Sequence, residues 1–91
     1  MSYTFNTVIN LEGDLAYYNM LIASYNFGIV EIRNLLIELA DCPTSDKMAD
    51  LCNSITESKE DCSTLLEEIE NMSMEIIDDM QSLNNLLEDY A

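Results

Sequence analysis

The 91-residue chain has no histidine, one proline (Pro43), two glycines (Gly13 and Gly28) and only three basic residues (Arg33, Lys47 and Lys59). Each shortage excludes something. Without histidine there is no imidazole to act as a general base. Three cysteines with no C-x-x-C pair leave no zinc-ligand set. A nucleophile–base pair and a Gly-rich phosphate loop are also missing. The expectation is a protein that is not an enzyme and takes no cofactor and no metal. Clustered carboxylates attract Ca²⁺ or Mg²⁺, but there is no EF-hand loop and a straight helix does not wrap an ion. So little Gly and Pro removes the turns that a strand-rich fold needs.

The shortage of bases is set against 18 acids, for a net charge of −15. Such a chain repels nucleic acid and anionic membrane, and its natural partners are basic protein surfaces or cations. The plain alternative is that the acid only keeps a small bundle soluble. No basic segment followed by an apolar core opens the chain, so no signal peptide is expected. The most apolar run, Met20 to Ala40, is interrupted by Glu31, Arg33, Glu38 and asparagines, which makes it a poor membrane span. A cytoplasmic protein with no membrane contact is the expectation.

What is present is helical periodicity. With Met48 as heptad position a, the a positions through Ile55, Cys62, Ile69, Ile76, Leu83 and Tyr90 are all apolar. Leu51, Leu65, Met72 and Leu86 add position d, and Cys52, Leu66, Met80 and Leu87 add position e. Held for nearly seven heptads, this stripe predicts a helix over about 45–90, roughly 70 Å long at ~1.5 Å per residue. Asp79 is the exception, a carboxylate at position d that is costly if buried alone. Cys52 and Cys62 lie on the stripe and are expected as small core residues. Their ten-residue spacing, roughly 15 Å along a helix, forbids a disulfide between them. Cys42, beside the turn, is the expected exposed thiol.

A second heptad runs through Val8, Leu11, Leu15, Tyr18, Ile22, Tyr25, Ile29, Ile32, Leu36 and Leu39. Its alternating spacing of 3 and 4 is that of coiled-coil packing, and it predicts a helix over about 8–41. Residues 1–6 read as a lead-in, with Asn6 or Thr7 as the cap. Gly13-Asp14 is either a tolerated glycine or a true helix start, and Gly28 suits a close helix crossing or a mild kink. Pro43 ends the helix, and Thr44 or Ser45 caps the next. A turn of 42–45 makes the two helices antiparallel neighbours. The fold class is therefore all-α: one helical domain, 1–91, built as an antiparallel hairpin with coiled-coil-like packing. A three-helix bundle, with a break in the polar stretch near Ser58, is the alternative.

The first helix carries another stripe on nearly its opposite side: Ile9, Ala16, Met20, Ala23, Phe27, Val30 and Ile37, with Gly13 among them. A helix apolar on two faces must be buried on both. These residues are the expected self-association surface, giving a homodimer and a larger helical bundle. Tyr17, Met20 and Phe27 are the expected exposed contacts.

The acids gather on the second helix as Glu57, Glu60, Asp61, Glu67, Glu68, Glu70, Glu75 and Asp78, with Asp79, Glu88 and Asp89. Like charges at i,i+4 destabilise a helix, so a ridge this acidic has a cost that mixed charges avoid. Residues 57–89 hold 11 acids and Lys59, net −10 over roughly 50 Å. That is one charge per ~5 Å, against ~1.7 Å for duplex DNA and ~3.4 Å for one strand. Two copies side by side would reach one per ~2.5 Å, within that range. The ridge is expected to dock on a basic, nucleic-acid-binding protein, a nuclease or effector complex, and block it, without touching nucleic acid directly.

In size, acidity and lack of catalytic residues the chain resembles the small phage-encoded inhibitors of host defence, of the anti-CRISPR and anti-restriction type. The resemblance is compositional, rests on no motif and transfers no residue roles. It implies an inhibitor acting in the host-cell cytoplasm. The alternative is a structural or adaptor coiled coil, or a chaperone for a basic client, binding through the second apolar face of the first helix.

Overall fold

A computed structural model describes residues 2–41 and 44–90. They form two helices, α1 (Ser2–Ala40) and α2 (Ser45–Asp89), packed antiparallel as a hairpin. The hairpin is a rod of 68 × 17 × 14 Å. Among the described residues there is no strand. The stretch near Ser58 does not break: α2 is one helix of 45 residues.

α2 follows its heptad closely. Its inward residues are Leu51, Ile55, Ser58, Cys62, Leu65, Ile69, Met72, Ile76, Asp79, Leu83 and Leu86, the a and d positions in unbroken alternation, with Ser54 and Ser73 half-buried at the edges. Thr44 caps it in extended backbone, its Oγ1 accepting from the Lys47 amide at 3.3 Å. Asp46 in the first turn suits the positive end of the helix. The apolar e positions do not enter the seam. Cys52, Leu66, Met80 and Leu87 are exposed, so Cys52 is not a core residue, whereas Cys62 is. Met48 and Tyr90, at the two ends of the a series, are exposed as well.

α1 departs further from expectation. It starts at Ser2, so the lead-in, which contains no Gly or Pro, is helical, and the seam of α1 begins at Thr7. Neither Asn6 nor Thr7 is a cap, and Gly13 is no break. The inward residues are Thr7, Leu11, Asp14, Tyr18, Leu21, Tyr25, Gly28, Ile32, Leu35 and Leu39, with Ile22 at the edge. The expected members Val8, Leu15, Ile29 and Leu36 are exposed. At ~100° per residue, moving one of its two seam rows back by one residue turns α1 by roughly 50° from the expected seam.

The physical reason is that hydrophobicity alone does not orient α1. A helix apolar on several sides has no single preferred face, and finer contacts decide. Gly28 sits against Cys62: a Cβ at residue 28 would come within 2.7 Å of the Cys62 Sγ. The backbone of α1 approaches Cys62 closely here, and a side chain at residue 28 would force a shift. Cys42 and Pro43 lie outside the described residues.

Candidate functional site

The heptad positions give the rod distinct sides. Tyr17 of α1 donates from its hydroxyl to Glu68 Oε1 at 2.9 Å. That bond places position g of α2, which carries Asp61, Glu68 and Glu75, on the same side as Glu31 and Glu38 of α1. The Glu68 carboxylate raises the Tyr17 hydroxyl above its ordinary pKa, first by accepting its hydrogen bond, then with desolvation and charge repulsion adding. Tyr17 is thus partly engaged within the chain rather than a free contact, at 38% exposure.

All eight carboxylates singled out from sequence (Glu57, Glu60, Asp61, Glu67, Glu68, Glu70, Glu75 and Asp78) are exposed. Helix geometry spreads them over the outward and lateral sides of α2, with positions f, c and g adjoining. The fold adds Glu31 and Glu38 to the same side, which sequence alone does not place there. Over the rod as a whole, −15 along 68 Å is about one charge per 4.5 Å, still sparser than one nucleic-acid strand at ~3.4 Å.

The stripe Ile9, Ala16, Met20, Ala23, Phe27, Val30 and Ile37 is exposed along its whole length, Phe27 at 73%. It lies directly opposite the seam, so α2 does not fold back to cover it. A second apolar strip is not anticipated from sequence. Val8, Leu15, Ile29 and Leu36 of α1 fall on the same side as Leu66, Met80 and Leu87 of α2, and all seven are exposed. Two shallow grooves run along this side. One is lined by Tyr25, Ile29, Ile32, Lys59, Cys62, Ser63 and Leu66, the other by Leu11, Met80, Gln81, Leu83, Asn84 and Leu87. The signal for it was present as the surplus apolar position in each heptad, a in α1 and e in α2.

Inside the seam, Asp79 faces Asp14. Both are half-buried, at matching levels of the two helices. A carboxyl–carboxyl hydrogen bond with Asp14 raises the Asp79 pKa above its usual value, and partial desolvation and repulsion from Asp14 add to the shift. The position-d anomaly is therefore half of a pair. Among the described residues no group of three or more Cys, Asp or Glu is arranged to hold a metal ion.

By length and composition alone, Phe5–Ala40 is long and apolar enough to cross a membrane. α2 packs along it with its carboxylates, and a crossing would have to separate the two helices or carry those charges into hydrocarbon. No protein-family model, no curated protein and no solved structure matches this chain.

Proposed function

We propose that this protein is a non-enzymatic binding protein. Its acidic ridge docks on a basic, nucleic-acid-binding protein and occupies the surface that nucleic acid would otherwise fill. The observation that carries this is a band of exposed carboxylates along the 68 Å rod, positions f, c and g of α2 with Glu31 and Glu38 of α1 beside them, and with Lys59 the one base among residues 57–89. A ridge of this kind offers a basic groove regularly spaced anions on a stiff scaffold, so little ordering entropy is lost on docking. Carboxylates used only for solubility could be interspersed with lysine at lower helical cost. The working unit in this reading is a homodimer in the cytoplasm, held by apolar surface the hairpin leaves uncovered.

The test is affinity capture from host lysate at low and high salt, with and without competing duplex DNA. Partners released by both salt and DNA are expected. The variant Glu60→Gln/Asp61→Asn/Glu67→Gln/Glu68→Gln should keep its helicity and capture none of them. A second reading is favoured by the exposure of Met20 and Phe27: an adaptor or chaperone that grips its client through the outer stripe of α1. A partner that resists salt, ignores DNA and is retained by the neutralised variant would establish that reading instead.

A further inference from the structure

We infer that a second copy of this chain seats on the lateral apolar strip, strip against strip, and completes a four-helix bundle. This rests on the self-association part of the functional reading and assigns its surface. A two-helix seam uses two positions of each heptad. A bundle core uses a third, on the same side of every helix. Here the third positions are Val8, Leu15, Ile29 and Leu36 on α1 and Leu66 and Met80 on α2, and both sets face one side of the hairpin. The grooves on that side are the holes such packing fills. The outer stripe of α1 lacks this property, because pairing through it would bury one helix and leave the lateral strip in water.

Area supports a second copy. The hairpin exposes 6861 Å², where a folded chain of this size exposes roughly 5,400 Å². The surplus of about 1,500 Å² per chain exceeds the ~800 Å² per partner of a standard interface and suits an obligate dimer. Charge supports the same side. Pairing through the lateral strip holds the two carboxylate ridges apart, on opposite flanks of the bundle. The charged groups at the strip, Lys59 with Glu12, Arg33 and Glu70 at its rim, are of both signs. One consequence is that the dimer carries two separate ridges rather than one of doubled density, so it engages a basic partner at two places.

The test is sedimentation mass at micromolar concentration for three proteins, with helicity checked by circular dichroism. The wild type should have twice the chain mass, Ile29→Glu/Leu66→Glu the chain mass, and Met20→Glu/Phe27→Glu twice the chain mass. If the Met20/Phe27 variant alone falls to the chain mass, the outer stripe is the interface. The lateral assignment is then overturned while self-association stands. A wild type at the chain mass overturns self-association itself, and salt-released capture through the ridge would remain a separate result. Wild type that pellets with phosphatidylcholine vesicles would place α1 in lipid and also overturn the assignment. A gentler variant guards against misfolding: in a Cys42→Ser/Cys52→Ser background, the thiol of Leu66→Cys should react more slowly with maleimide as protein concentration rises. A rate independent of concentration would contradict the proposal.

Discussion

The two helices solve different problems with the same period. α2 is amphipathic: its a and d positions face α1, and nearly all its acids lie on the other positions. Its register in the hairpin is the one its heptad announces. α1 is apolar on several sides, so burial by itself does not set its rotation, and Gly28 against Cys62 and Tyr17 on Glu68 help fix it. An amphipathic helix encodes its own orientation, whereas a uniformly apolar one borrows its orientation from its neighbour and keeps unused faces for others.

This contrast can be broken most strongly at the ridge. Neutralising Glu60, Asp61, Glu67 and Glu68 should abolish partner capture and leave the solution mass unchanged, because those side chains lie away from both apolar surfaces. Loss of both properties together would mean that the two functions are not separable. Next in size is Gly28→Ala. The helix gains about 1 kcal/mol of propensity, but overpacking against Cys62 costs about 1–3 kcal/mol. A net loss of about 1 kcal/mol is expected in urea unfolding. Gly13→Ala should move the other way, a gain of up to about 1 kcal/mol, since nothing lies within 4 Å of the added Cβ. Equal effects at the two glycines would contradict the close approach at residue 28.

The carboxylate pair gives a smaller, pH-dependent effect. Asp79 titrates higher in the folded hairpin than in the unfolded chain, so the folded state binds the proton more tightly. Its contribution favours folding below the ordinary carboxylate pKa and is lost as pH rises through the raised value. The thermal midpoint should therefore rise on acidification from neutral pH, and Asp79→Asn should flatten that rise relative to wild type. A profile unchanged by Asp79→Asn would show that the pair does not share a proton. Smallest is Tyr17→Phe, which removes one exposed hydrogen bond and should barely change stability; an ultraviolet titration should show one raised phenol in the wild type and none in the variant.

Much of the architecture was legible in the chain. Two long heptad runs around Pro43 are enough for an antiparallel hairpin, and Thr44 behaves as its side chain suggests. The start of α1 was not legible, because Ser2 to Thr7 lack both strong helix formers and breakers, so local propensity does not decide it. Val8, Leu15, Ile29 and Leu36 were misplaced because ten apolar residues at 3/4 spacing look like a seam whether they face α2 or a second chain. Asp79 read as an anomaly because its partner, Asp14, is 65 positions earlier in the chain. Seven of the eight carboxylates were readable as an exposed ridge from their f, c and g positions, with Glu70 at b, but the addition of Glu31 and Glu38 to that side required the rotation of α1.

The central claim is that the acidic ridge is a docking surface, and the most direct measurement is the salt dependence of affinity for a captured DNA-binding partner. A steep fall in affinity with rising ionic strength is expected, and the slope should flatten in step with the number of carboxylates removed from Glu60, Asp61, Glu67 and Glu68. An affinity indifferent to salt, or a slope unchanged by their neutralisation, would contradict the account and assign the contact to the apolar faces of α1.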